Sequence, residues 1–160
     1  MSTSAIFMSY EGVEGEATAV SHISSAPAGG AWIELLGCDY GGTAAYAQRT
    51  SAQSEMQTDI RIGVTKETDA ATIGLLRQAM TGDFKKNIVI SFVRQGVGEP
   101  TEFQRLELAN GGITAFSISG GQERPVESYR LHFGQLTITS WAFKGTERRA
   151  PAVTVIMNEV

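Results

Sequence analysis

Residue types that commonly perform chemistry are sparse in this chain. It has two histidines, His22 and His132, and one cysteine, Cys38. His22 lies in a stretch of Ser, Ala and Gly, and His132 falls on the polar face of a predicted strand, so both fit ordinary surface or hydrogen-bonded histidines better than catalytic ones. Cys38 lies in an apolar strand and is expected to be a buried, unreactive thiol. One cysteine also excludes an intrachain disulfide framework and a cysteine-rich zinc site.

Motifs for an activated nucleophile or a phosphate loop are missing from the sequence. It contains neither a G-x-S-x-G elbow nor a Walker or dinucleotide-binding glycine loop. Glu11, Glu14 and Glu16 are closely spaced but lack the acidic repeat of a calcium-binding loop. We therefore expect no catalytic residue, no metal ion and no cofactor. The competing hypothesis of a hydrolase with an unrecognised Ser-His-Asp site predicts that His132→Ala abolishes an activity.

Composition and charge limit the class of protein further. The chain has 160 residues, 42% hydrophobic and 19% charged, with a net charge of −4. These values predict one folded domain over residues 1–160 and give no support for a nucleic-acid partner. We find no signal peptide and no apolar stretch long enough to cross a membrane, so we expect a cytoplasmic location without membrane insertion. The charge is uneven, because Arg49 is the first Lys or Arg and five carboxylates precede it.

Alternating apolar and polar residues predict that the fold is built mainly from strands. Residues 59–65, 128–133 and 135–139 alternate with a period of two, and residues 87–93 predict a strand buried on both faces. Residues 6–10, 32–40, 102–109 and 113–119 complete a set of about eight strands. Between the last two, Asn110-Gly111-Gly112 predicts a hairpin turn. Many short strands in hairpin order favour a small antiparallel β-barrel, closed or nearly closed.

One segment has the periodicity of an α-helix. It can be capped by Thr68 or Asp69 and stopped by Gly82, a length of about 13 residues. The predicted apolar stripe that packs on the barrel consists of Ile73, Leu76 and Met80. A loop of small and polar residues spans 41–56, and a tail follows from residue 144.

Six sequence pieces, in order along the chain, resemble the Hcp family, the haemolysin-coregulated proteins of the type VI secretion system tube. The first three are Gly12-Val13-Glu14-Gly15-Glu16, the strand 32–36 that leads to Tyr40-Gly41, and Val64-Thr65-Lys66-Glu67-Thr68-Asp69. The helix ending near Thr81-Gly82 follows, and then the segments 113–121 and 127–134. The resemblance covers about residues 5–143, the predicted barrel, and leaves 144–160 as a tail without a family signature.

The resemblance implies a structural protein rather than an enzyme. Such proteins form hexameric rings that stack into a tube, leave the cell with it, and in some relatives hold effectors in the lumen. Sheath, spike and effector proteins would be the other partners, and secretion would need no signal peptide. Two alternatives remain: a phage tail-tube-like protein, or a monomeric small-ligand-binding barrel with Trp32, Tyr40, Trp141 and Phe143 in its cavity.

Ring stacking and the lumen each suggest candidate residues. The acidic N-terminal third and the 41–56 loop are expected to take part in contacts between rings or subunits. Asp39 is expected to face the lumen, because Leu36, Cys38 and Tyr40 share the other face of its strand. The candidate contact residues are Glu11, Glu14, Glu16, Gly42, Tyr46, Gln48 and Arg49.

Overall fold

The computed structural model describes residues 3–17, 31–43, 59–95, 100–145 and 147–158. These residues form nine strands and one helix, which confirms the prediction of a mainly β fold. No helix in the described part of the chain is long and apolar enough to span a membrane. The elements are β1 (Thr3–Tyr10), β2 (Ile33–Leu35), β3 (Gly37–Thr43), β4 (Asp59–Glu67), α1 (Thr72–Thr81), β5 (Lys86–Gln95), β6 (Thr101–Ser119), β7 (Val126–His132), β8 (Gln135–Lys144) and β9 (Glu147–Met157).

The strands form one antiparallel sheet that wraps around the core but does not close. Its order is β2-β1-β5-β6-β7-β4-β3, and β8 branches from β6 and pairs with β9. Among the described residues, the end strands β2 and β3 are not paired with each other, so a closed barrel is not formed. The sheet has two halves, which we name the outer sheet (β2-β1-β5-β6-β8-β9) and the polar sheet (β6-β7-β4-β3).

The predicted hairpin at Asn110-Gly111-Gly112 is wrong. The segments on either side belong to one strand, β6, whose first half pairs with β5 and β8 and whose second half pairs with β7. Asn110 has a φ of 52°, so the positive φ that suggested a turn is present but bends the strand from one half of the sheet into the other. A Cβ on Gly112 would lie 2.4 Å from the Phe84 ring, and this close packing leaves room only for glycine.

The segment predicted as one strand, 32–40, is divided at Leu36. β2 pairs with β1, whereas β3 pairs with β4. Leu36 stands between them, and its backbone N–H donates to the carbonyl oxygen of Thr65 over 2.8 Å. The chain therefore passes from the outer sheet to the polar sheet here, as it does again within β6. β3 continues to Thr43, so the first three residues of the predicted 41–56 loop belong to a strand.

Most of the core lies between the two halves of the sheet. Buried side chains of the outer sheet, such as Met8, Ile90 and Leu106, form one cluster with Ile62 and Leu131 of the polar sheet. A smaller cluster on the other face of the outer sheet contains Phe7, Trp32, Val89 and Val93. Residues 88–93 are consequently buried on both faces, which confirms the prediction for this strand.

The helix is shorter than predicted and packs through a different face. It begins at Thr72 after an N-cap residue, Ala71, without a side-chain cap, although the Asp69 carboxylate accepts the Ala71 N–H over 2.8 Å. Leu75 is buried and Leu76 partly so, whereas Ile73 and Met80 are 64% and 73% exposed. The predicted stripe is therefore wrong at two of its three positions. Gly82 ends the helix with a φ of 67°, as predicted.

The segment that the sequence left as a C-terminal tail forms a strand. β9 pairs with β8 from Lys144↔Glu147 to Gln135↔Met157. β9 has no second neighbour in the described part of the chain, so it forms an edge of the outer sheet. Val153, Val155 and Met157 share one exposed face of this edge strand.

Candidate assembly surfaces

A group of buried ionic and hydroxyl side chains joins the helix to the polar sheet. Lys66 at the end of β4 and Glu127 at the start of β7 are both fully buried. The Lys66 Nζ lies 3.3 Å from Glu127 Oε1 and 2.8 Å from Asp69 Oδ1. The Thr72 hydroxyl of the first helical turn donates to Glu127 Oε2 over 2.6 Å, and the Tyr129 hydroxyl donates to Oε1. Every partner is satisfied within the fold, so this cluster holds the helix in place and offers no open site for a substrate.

The hydrogen bonds of this cluster set the ionisation of its members. Burial alone would raise the pKa of Glu127, but the hydroxyls of Thr72, Tyr129 and Thr68 and the ammonium of Lys66 lower that pKa below its usual range. Burial, and then the hydrogen bond to Glu127, raise the pKa of Tyr129. The carboxylate is therefore charged and the phenol neutral at neutral pH.

Sequence reasoning did not identify Lys66 and Glu127 as a buried pair, although a signal for it was present. Lys66 continues the buried series Ile60, Ile62, Val64 along β4. Glu127 starts the buried series that continues with Tyr129 and Leu131 along β7. A charge in an inward position of an alternating strand needs a partner, and two such strands side by side can provide it.

The face of the polar sheet that points away from the core carries mainly small and polar side chains, with the half-exposed Phe116 among them. A shallow groove of about 450 Å³ runs across this face, and Asp39 and Arg61 are among its lining residues. Asp39 pairs with Gly63, and a Cβ on Gly63 would lie 3.0 Å from the Asp39 carboxylate. Asp39 thus points away from the core, as its strand position predicted. The groove is further lined by Thr65, Ala115, Ser117, Ser128 and Arg130.

Both outer strands of the polar sheet have an open side. β3 pairs with β4 alone, and the second half of β6 pairs with β7 alone, among the described strands. The N–H and C=O groups on these open sides can pair with another strand. The polar sheet therefore presents two edges that could join neighbouring copies, with a solvent-exposed polar face between them.

The three candidate glutamates have different surroundings. Glu11 is tied to the start of β5, because its Oε2 accepts the Asn87 N–H over 2.8 Å. Glu14 is exposed. Glu16 lines a cleft beside β1 together with Glu34. Their part in contacts between rings stays a prediction.

Of the four candidate contact residues that remain, one lies within the described residues and three lie outside them. Gly42 lies in β3, opposite Ile60. Tyr46, Gln48 and Arg49 lie outside the described residues. The structure thus describes only residues 41–43 of the predicted 41–56 loop.

The residues first considered for chemistry have packing partners. His132 contacts the ring of Phe84 edge-on, with 5.6 Å between centroids. Cys38 packs partly against the main core, and burial, followed by the charge of Asp39, raises its pKa to about 12. Trp32 is buried in the smaller cluster, whereas Trp141 lies under the guanidinium of Arg148. In the described part of the chain, no group of three or more His, Cys, Asp or Glu side chains could hold a metal ion.

Comparison with known proteins identifies the family of the chain. The family model described as "Type VI secretion system effector, Hcp" matches residues 7–140. The chain therefore belongs to the Hcp family of the type VI secretion system. The comparison with curated protein sequences gives no significant match.

Several solved structures share the fold. Hcp1 from Salmonella typhimurium has a TM-score of 0.70 at 16% identity, covering 97% of this chain and 95% of that one. A type VI secretion system effector from Yersinia pestis has a TM-score of 0.67 at 17% identity, covering 95% and 98%. The secreted protein Hcp3 from Pseudomonas aeruginosa has a TM-score of 0.66 at 11% identity, covering 99% and 100%. These similarities extend over the complete fold, including β9.

Proposed function

We propose that this chain is a structural subunit of the type VI secretion tube, which forms hexameric rings that stack end to end. The observation that supports the proposal most directly is the polar sheet, with an open edge at β3, another along the second half of β6, and a wet face between them. A contact between two different edges is heterologous, and repeated rotation closes it into a ring.

In such a ring the polar face would line the lumen. This face contains Asp39, Arg61 and Arg130, whereas Ile62, Val64 and Leu131 of the same strands are buried in the core. A water-filled channel requires a polar surface of this kind. We further propose that effectors are held in the lumen and that the protein leaves the cytoplasm with the tube, without a signal peptide.

Contacts between rings would involve surfaces at the ends of the strands. Glu14 is exposed, and Glu11, three residues before it in the chain, is bound to the start of β5, so the two would give this end of the subunit an acidic surface. Gly42 and the loop that follows β3, including Tyr46, Gln48 and Arg49, would contribute a second contact.

Native mass spectrometry and negative-stain electron microscopy of the same purified sample test this proposal. We expect a species of six chains of 17.1 kDa and ring-shaped particles. A monomer over a wide concentration range, without rings, would contradict the proposal and would favour the alternative of a small-ligand-binding protein.

A further inference from the structure

The hairpin of β8 and β9 extends beyond the strand that supports it and carries basic residues at its end. β8 pairs with β6 only as far as Ser140, and after that point it pairs with β9 alone. We name residues 141–145 and 147–151 the C-terminal arm. Lys144, Arg148 and Arg149 are exposed there, and Glu147 is the arm's only carboxylate.

The arm is held in a defined position. The guanidinium of Arg148 lies 4.8 Å from the centroid of the Trp141 ring and donates to the carbonyl oxygen of Glu102. Arg94 of β5 lies 5.2 Å above the Phe143 ring and adds a further positive charge beside the arm. Aromatic rings covered by arginines are typical of protein interfaces. Pro151 lacks a backbone N–H, so this part of the edge is better suited to side-chain contacts than to addition of a strand.

An acidic cleft lies on the opposite side of the outer sheet. The cleft opens beside the first half of β1. Leu36, which connects β2 to β3, lies in it. Leu36, which is 57% exposed, contributes apolar surface to this cleft. Four carboxylates and one guanidinium surround it, those of Glu16, Glu34, Glu67, Asp69 and Arg124.

The charge of the cleft is only partly compensated within the chain. The guanidinium of Arg124 lies 3.8 Å from the carboxylate of Glu67. At least half of each side chain is exposed to solvent, so this ion pair is weak. Asp69 is paired with the buried Lys66. Glu34 extends from β2 on the exposed side of that strand. The cleft therefore presents a negative surface with an apolar centre, complementary to an arm with positive charges and aromatic rings.

Within one copy the two surfaces do not touch, because none of the arm residues is among the residues that line the cleft. Both surfaces nevertheless lie near the same ends of the strands, because Gln95 lines the cleft and its neighbour Arg94 contacts the arm. A second copy placed beside the first can bring its cleft to the arm.

We propose that the C-terminal arm of each copy docks into the acidic cleft of the next copy around the ring. This inference rests on the ring assembly proposed above and names the contact that closes it. The open edges of the polar sheet belong to the same two sides of the subunit as the cleft and the arm. The edge strand β3 follows the cleft strand β2 in the chain, and the edge strand β6 pairs with β8, which carries the arm. The two pairs of surfaces can thus be joined by a single rotation, and the contact is heterologous.

Charge reversal on each surface tests the proposal. The arm variant is Lys144→Glu/Arg149→Glu, and the cleft variant is Glu34→Lys/Glu67→Lys; none of these side chains is buried. Arg77→Glu/Lys85→Glu is the control matched to the arm variant, because it makes the same change of −4 in net charge at exposed positions on and after the helix. Native mass spectrometry is expected to show at least a tenfold higher ring dissociation concentration for the arm and cleft variants and no change for the control.

Mixing the two variants separates a lost contact from a lost fold. In each variant alone, the arm and the cleft carry charge of the same sign. In an equimolar mixture the two variants can alternate around the ring, and every arm then meets a cleft of opposite charge. We expect rings to reappear with three copies of each variant, and the combined four-residue variant to form rings by itself.

The outcomes distinguish this inference from the proposed function. If the arm variant forms rings as the wild type does, the docking contact is overturned and the tube function stands. If both variants are folded by circular dichroism but their mixture forms no rings, the charge pairing is overturned. If the wild-type chain forms no rings under any condition, the proposed function fails and this contact fails with it.

Discussion

The ammonium of Lys66 lies 3.3 Å from the carboxylate of Glu127, and both side chains are completely buried between the polar sheet and the helix. Removing Glu127 would leave the buried ammonium of Lys66 with Asp69 as its remaining carboxylate partner and would deprive the Thr72 and Tyr129 hydroxyls of their acceptor. Breaking a buried ion pair in this way typically costs about 3–5 kcal/mol. We therefore expect Glu127→Ala to lower the free energy of unfolding by about 3 kcal/mol or more, measured by urea denaturation. Glu123→Ala, at an exposed position in the β6–β7 connection, is the control and should change it by less than about 0.5 kcal/mol.

A stability loss for Glu127→Ala no greater than that of the control would show that the cluster does not anchor the helix. Lys66→Met/Glu127→Met provides a second check. The double variant removes both fully buried charges and leaves only Asp69, which is partly exposed, without its partner, so it should be more stable than Glu127→Ala.

The lowered pKa of Glu127 predicts how stability depends on pH. A carboxyl group with a lower pKa in the folded chain stabilises the fold above its unfolded pKa, about 4.3, and this contribution is lost as the pH falls through the folded pKa. The charged groups beside it are Lys66 and Asp69, which share the ion pairs of this cluster. Urea denaturation between pH 7 and pH 3 should therefore show a steeper decrease for the wild type than for Glu127→Gln. Parallel curves for the two proteins would contradict this prediction.

Asp39 offers a test of the lumen surface. Because its side chain lies on the exposed face over Gly63, Asp39→Arg should leave the ring intact while changing the charge of the channel wall. We expect a different set of proteins to remain bound to purified rings, identified by mass spectrometry. Glu107→Arg places the same change on the exposed face of the outer sheet and should leave the bound set unchanged. Loss of the ring in Asp39→Arg would mean that this face lies at a subunit contact instead.

Glu14 tests the contact between rings. Its side chain is exposed, and Glu11 is the residue that binds the Asn87 N–H, so Glu14→Lys should alter charge without disturbing β5. We expect rings of normal mass but shorter or fewer stacks in negative-stain images, and the difference should shrink at high salt because exposed charges are screened. If stacks form as in the wild type, the acidic end of the subunit does not contact the next ring.

Which residues face the core was largely determined by local alternation. The alternation of Ile60, Ile62 and Val64 in β4, and of Tyr129, Leu131 and Phe133 around β7, was sufficient to place their buried faces. Side chains in a strand point to opposite faces in turn, so one buried residue fixes the rest. The positions of Asp39 and His132 away from the core followed from the same rule.

Pairing between strands was decided only by the tertiary structure. Asn110 and the two glycines after it indicate a positive φ and close packing, but these properties suit a hairpin turn and a bent strand equally well. The choice depended on β5 and β8, which occupy both sides of the first half of β6 and leave the second half to pair with β7. Segments that are distant in sequence can thus pair with the same backbone groups, and the local sequence pattern does not determine which of them does.

The buried face of the helix and the grouping of charges have the same explanation. Ile73, Leu76 and Met80 have helical spacing, but Leu75 is the side chain that the core covers, because Thr72 is fixed to Glu127 and sets the rotation of the helix. That bond joins residues 55 positions apart in the chain. Sequence by itself determined the residue types, the strand faces and the family resemblance, whereas the approach of distant segments decided which charges are buried together and which edges remain open.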